Sequence, residues 1–160
     1  MSSAIATSWI GLGSNLEQPK QQLLKAQAEL EKLGVVTISR LYSSSPMGPQ
    51  DQPDYVNAVA MLKTELAPIA LLDALQAIEN EHGRVRNRRW GERTLDLDLL
   101  IYDQQQINHP RLTVPHPGIA ERDFVLKPLH ELAPELKLPD GRPIEQLLEN
   151  CSDHSLRLID

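Results

Sequence analysis

Hydrophobic positions follow two rhythms along the chain. Ile5 to Leu12 (IATSWIGL) is an apolar run closed by Gly13-Ser14-Asn15, which reads as a first strand ended by a turn. Leu23, Ala26, Leu30 and Leu33 then recur at helical spacing, with Pro19 suited to the first turn and Gly34 where a C-terminal cap belongs. Val35 to Tyr42 (VVTISRLY) is rich in β-forming residues and predicts a second strand; Tyr55 to Thr64 (YVNAVAMLKT) predicts a third. Between them, Ser43 to Asp54 (SSSPMGPQDQPD) holds three prolines and a glycine. It reads as a loop, of a length uncommon unless functional or disordered. A second helix is expected over Pro68 to His82, with Leu71, Leu72, Leu75 and Ile78 on one face and Gly83 as its stop. Leu95, Leu97, Leu99 and Ile101 alternate at period two and predict a fourth strand.

That order, β-α-β-β-α-β, is the split-βαβ or ferredoxin-like plan. It predicts an α+β fold: a mainly antiparallel sheet with two helices packed on one face. From about Gln104 the chain is proline-rich and reads as an irregular C-terminal extension, with short helices within Arg122 to Leu132 and near Ile144 to Asn150. At 160 residues, a single domain over 1–160 is expected.

Composition narrows the functional classes. Aromatics are only 4% of the chain, so aliphatic residues must fill the core. The formal net charge of −6 argues against a nucleic-acid binder. The lone Cys151 excludes an intrachain disulfide, and the N-terminus shows neither a basic leader nor a long apolar run. A soluble cytoplasmic protein with no membrane partner is the expectation.

The chemistry concentrates in one stretch. Asp96 and Asp98 stand between the leucines of the fourth predicted strand, where Asp is disfavoured. Same-face neighbours on a strand lie about 6.6–6.8 Å apart at Cα, so the two carboxylates project side by side. Five of the ten arginines (Arg84, Arg86, Arg88, Arg89 and Arg93) fall just upstream. A hard divalent cation suits such oxygen ligands, since Mg²⁺ takes one or two carboxylates and completes its shell with water and phosphate oxygens. Arginines bind the remaining phosphate oxygens by bidentate, charge-assisted bonds. Acid pair and Arg cluster thus point to a Mg-nucleotide site; a solvated strand face salt-bridged to nearby arginines is the plainer alternative. The common nucleotide motifs are missing. Gly11-Leu12-Gly13-Ser14-Asn15-Leu16 lacks the third glycine of G-x-G-x-x-G, and no P-loop occurs.

The segment RWGERTLDLDLL (Arg89 to Leu100) closely resembles the signature of the 6-hydroxymethyl-7,8-dihydropterin pyrophosphokinase family. GLGSNL, YSSSPMGPQDQPDYVNAVA, GRVR and LTVPHPGIAERDFVLKPLHELAP also resemble that family, in the right order, so the likeness spans most of the chain. The resemblance implies transfer of pyrophosphate from ATP to the pterin's hydroxymethyl group with release of AMP, a step of folate biosynthesis. It implies two Mg²⁺ ions held by Asp96 and Asp98, with Arg84 and Arg93 on the phosphates and Trp90 as a lid residue. His116 and Arg122 would contact ATP phosphates. Leu99, Arg111, Leu112 and Thr113 would line the adenosine pocket, and Gln76 and Glu79 would reach the nucleotide from the second helix. For the pterin, the resemblance implies Asn57 along the edge, Tyr55 and Phe124 as a stacking sandwich, and Ser44, Ser45 and Met47 as loop contacts.

Each assignment has an ordinary counterpart. His116 between two prolines can be a turn residue, Glu79 a solvated helix carboxylate, and Phe124 in the run FVL a core residue. The family often carries Thr where Ser44 stands, and its loop before Trp90 varies, which leaves Arg86, Arg88 and Arg89 without assigned roles. A monofunctional monomer using only small-molecule substrates is expected. Two other readings stand beside it: another Mg-dependent nucleotidyl or phosphoryl transferase, and a non-catalytic ferredoxin-like module that binds anions.

Overall fold

The computed structural model describes residues 5–14, 19–44, 55–81, 95–151 and 156–158. Strand β1 (Ala6–Ser14) leads to helix α1 (Pro19–Leu30), then β2 (Gly34–Ile38), β3 (Tyr42–Ser44) and β4 (Tyr55–Thr64). Helix α2 (Pro68–Glu81) precedes β5 (Asp96–Tyr102), and a hairpin of β6 (Ile107–His109) and β7 (Leu112–Val114) follows. A 3-10 turn (Ile119–Glu121), α3 (Asp123–Leu132), α4 (Ile144–Glu149) and β8 (Arg157–Leu158) complete the described chain. The main sheet runs β5-β1-β4-β3-β8, with β2 also paired to β4. Its pairings are antiparallel.

Period-two alternation sends the two sides of each strand into different cores. Ile10 and Leu12 of β1, Ala58, Ala60 and Leu62 of β4, and Leu97 and Leu99 of β5 pack with Leu23, Ala26 and Leu30 of α1 and Leu71, Leu75 and Ile78 of α2. Trp9 and Val59 face the other way, where they meet Val125, Leu126 and Leu129 of α3 and Ile144 of α4. The expected irregular extension therefore supplies the second face of the sheet. Leu62, Leu75, Leu126 and Leu129 are fully buried, and truncating any one to Ala is expected to cost about 2–5 kcal/mol.

Four sequence expectations change in the folded chain. The first strand does not end at Leu12; it continues through Gly13 and Ser14, both paired with β4. The strand expected over Val35 to Tyr42 breaks at Ser39, where Val59 accepts the Ser39 amide at 2.8 Å and donates its own to Ser39 Oγ at 3.0 Å. Gly34 opens β2 and does not cap α1. A Cβ there would sit 2.0 Å from the carbonyl oxygen of Lys63, so only glycine allows the close pairing of β2 with β4. The alternation expected through Ile101 slips at a β-bulge. Ile10 pairs with Leu99 but Trp9 pairs with Ile101, so Leu100 is the extra residue and Ile101 turns to the α3 face.

Among the described residues, no helix is long and apolar enough to cross a membrane.

Candidate active site

The site grows from three adjacent strands. Because Leu97 and Leu99 point toward α1 and α2, Asp96 and Asp98 project from the opposite face of β5. In register, Gly13 of β1 lies between Asp96 on one side and Asn57 of β4 on the other; Gly11 lies next to Asp98. Central-strand glycines are unfavourable for the strand itself. Here they leave a hollow of peptide backbone between the carboxylates and the amide. A Cβ on Gly13 would meet Asn57 Oδ1 at 3.3 Å, and one on Gly11 would meet the side chain of Leu100 at 3.4 Å.

This hollow is a cleft of about 190 Å³, lined by Tyr55, Asn57, Asp96 and Asp98, by Arg122 just before α3, and by Phe124 and Val125 in its first turn. Asn57 is only 5% exposed, so its amide is a buried polar group in the cleft wall. The Arg122 guanidinium stands 5.8 Å from the centre of the Phe124 ring, in cation–π range. A lining that holds two aromatic rings, an amide and two carboxylates suits a flat heterocycle with a polar rim.

A second cleft, about 290 Å³, opens on the other side of β5. Leu72, Leu99, Arg111, Leu112, Thr113 and His116 line it, and so does Asp98. Asp98 is thus common to both clefts. His116 is fixed by its own amide, which donates to Leu100 O at 2.9 Å, and by Gly118 N–H, which donates to His116 Nδ1 at 3.1 Å. Nδ1 is therefore an acceptor. Burial holds the His116 pKa below the usual histidine value; Asp98 pulls it up and Arg122 pushes it down.

Arg111 spans the second cleft's rim. Its Nη2 donates to Asp73 Oδ1 at 2.6 Å and to Gln76 Oε1 at 3.3 Å, tying the β6–β7 hairpin to α2. Glu79 of α2 sits against the strand that carries the aspartates. It is buried behind β5, where its Oε2 accepts the amide of Leu97 at 2.8 Å, and it lines neither cleft. That bond occupies the strand residue between the two aspartates and steadies the backbone that carries them.

Ser44 pairs with Tyr55 at the cleft edge. Ser45, Met47, Arg84, Trp90 and Arg93, with Arg86, Arg88 and Arg89, lie outside the described residues. Gly11 and Gly13 were not expected in the site. Their signal was available: two glycines at i and i+2 share one strand face.

Among the described residues, no cluster of three or more His, Cys, Asp or Glu side chains could hold a metal by itself. The donor set is instead two carboxylates beside open clefts. That suits Mg²⁺, which binds through one or two carboxylates and fills its remaining positions with water and phosphate.

Fold and site define a small α+β protein in which two clefts share one carboxylate, Asp98, with Asp96 beside it in the first. Residues 9–134 match the sequence model of the 7,8-dihydro-6-hydroxymethylpterin-pyrophosphokinase (HPPK) family. The 2-amino-4-hydroxy-6-hydroxymethyldihydropteridine pyrophosphokinase of Haemophilus influenzae is 54% identical over 153 residues, covering 94% of this chain and 96% of that protein. The Pseudomonas aeruginosa protein of the same name is 54% identical over 146 residues, covering 89% and 90%. The chain belongs to the HPPK family. Its fold is also similar to the crystal structure of Plasmodium falciparum HPPK-DHPS with pteroate, with a TM-score of 0.75 at 15% identity. That match covers 94% of this chain and 43% of the Plasmodium chain.

Proposed function

We propose that the chain transfers pyrophosphate from ATP to the hydroxymethyl group of 6-hydroxymethyl-7,8-dihydropterin, releasing AMP, in folate biosynthesis. Membership of the HPPK family supports the reaction. The observation that carries the site assignment is Asp98, which walls both clefts and so stands where two ligands meet.

The pterin occupies the glycine-floored cleft between Tyr55 and Phe124, with Asn57 supplying a donor and an acceptor to its edge. ATP occupies the second cleft, its adenosine beside Leu99, Arg111, Leu112 and Thr113. His116 and Arg122 bind its phosphates, joined by Arg84 and Arg93. The pterin hydroxyl oxygen attacks the β-phosphorus. The bond from that phosphorus to the α–β bridging oxygen breaks, AMP leaves and the hydroxyl proton is released. Two Mg²⁺ ions, held by Asp96 and Asp98, would supply charge neutralisation for the phosphate oxygens. The chain's own contribution is placement. The sheet fixes acceptor and donor clefts on either side of one carboxylate, which turns a bimolecular encounter into a positioned one. The enzyme acts as a monomer.

Product analysis tests the reading. Purified protein with ATP, Mg²⁺ and the pterin should yield AMP and pterin pyrophosphate in equal amounts, and EDTA should abolish both. Release of ADP would mean attack at the γ-phosphorus and a different kinase. Absence of any nucleotide turnover by folded protein would leave a binding module.

A further inference from the structure

The row Asp96–Gly13–Asn57 does not end at β4. Tyr42 of β3 pairs with Asn57 and extends the row across a fourth strand. Its ring is buried, 6% exposed, and its hydroxyl leaves the sheet to donate a 2.5 Å hydrogen bond to Glu131 Oε1 in the last turn of α3. The other oxygen of the same carboxylate accepts the amide of Arg40 at 2.9 Å. One carboxylate on α3 thus grips the chain at two points as it enters β3.

Helix geometry connects this grip to the cleft. Glu131 follows Phe124 by seven residues, about two turns, so the two lie on one stripe of α3 only ~20° apart. A slip of α3 by one residue would carry that stripe ~100° around the axis and ~1.5 Å along it. The apolar contacts of Val125, Leu126 and Leu129 hold α3 to the sheet, but such contacts are non-directional. The Tyr42–Glu131 bond is directional and charge-assisted. Burial first, then the Glu131 carboxylate, pushes the Tyr42 pKa up to about 12, so the phenol stays a donor throughout the neutral range.

We propose that Tyr42 and Glu131 are positioning residues for the pterin, fixing the rotation of α3 and thereby the setting of Phe124 over the glycine floor. The ligand's identity rests on the proposed function; the mechanical coupling rests on the register and the two hydrogen bonds.

The test uses the full chain with Tyr42→Phe, which removes one hydroxyl, and Glu131→Gln as the second variant. Both should raise the pterin KM by roughly three- to tenfold, the equivalent of one lost hydrogen bond, with the ATP KM moving less than about twofold. A crystal structure of Tyr42→Phe should show the Phe124 ring displaced. Leu138→Ala, a buried change in the α4 core, controls for stability alone: it should lower Tm at least as far and leave the pterin KM unmoved. An unchanged pterin KM in Tyr42→Phe with Phe124 in place would overturn the positioning role. So would an equal rise in Leu138→Ala, since loss of stability would then account for it. A wild-type chain that turns over ATP but not the pterin would overturn the substrate assignment, an outcome visible before any variant is made.

Discussion

The two clefts that meet at Asp98 are built from different materials. One is cut into the main sheet, with a floor of strand backbone and a buried amide, under a helix held by a two-point carboxylate grip. The other lies between α2 and a small hairpin outside that sheet, and its rim is closed by the Arg111–Asp73 pair, whose side chains are 45% and 58% exposed. Buried polar groups lose about 1–3 kcal/mol when a partner is removed. Exposed ion pairs are typically worth about 0–1 kcal/mol and are screened by salt. The first cleft is therefore suited to reading a ligand's shape and edge, and the second to gripping a flexible, charged ligand while tolerating local change.

The largest effect should come from the shared residue. If the proposed assignment holds, Asp98→Ala is expected to lower kcat/KM by roughly 10²–10³-fold or more while Tm moves little, because the partly buried carboxylate belongs to neither hydrophobic core. Steady-state kinetics with a melting curve would check both halves, and near-normal turnover would remove the metal assignment. Next, Asn57→Ala should weaken pterin use by about ten- to a hundredfold, with the ATP KM nearly constant. A parallel loss for both substrates would erase the distinction between the clefts.

A smaller effect concerns pH and stability. The folded-state pKa of Tyr42 is raised above its unfolded value of about 10 to about 12, so folded protein keeps a proton that unfolded protein has released. Tyr42 therefore contributes stability below pH ~10 that is lost as pH rises toward ~12. Denaturant midpoints across that window should fall less steeply in Tyr42→Phe; identical slopes would contradict the burial of the phenol. The smallest effect belongs to the rim. Asp73→Asn should change the ATP KM by less than about threefold, and mainly at low salt. A tenfold change would show that the exposed pair grips as strongly as the buried wall.

The sequence made some of this legible and hid the rest for identifiable reasons. Asp96 and Asp98 could be placed on one face because strand geometry has a period of two. The bulge at Leu100 could not, because it depends on how β5 meets Trp9 and Ile10 of another strand. Gly11 and Gly13 read as a strand end, since glycine is a common turn former; only pairing on both sides makes them a floor. Gly34 read as a cap for the same reason, yet its need comes from a carbonyl nearly thirty residues away. The three-residue strands β6 and β7 are too short to carry a period, so the hairpin that walls the second cleft left no pattern. Asp73 and Glu131 gave no sign at all. A lone acidic residue on a helix looks the same whether it meets water or a partner across the fold.

The glycine floor has a consequence for inhibition. A molecule that reaches down to the backbone of Gly11 and Gly13 rests on atoms common to every amino acid. Point mutations alter side chains, and at these two positions any new side chain would fill space within the cleft itself. Resistance to such a molecule would have to arise at the walls, while the floor remains a fixed target.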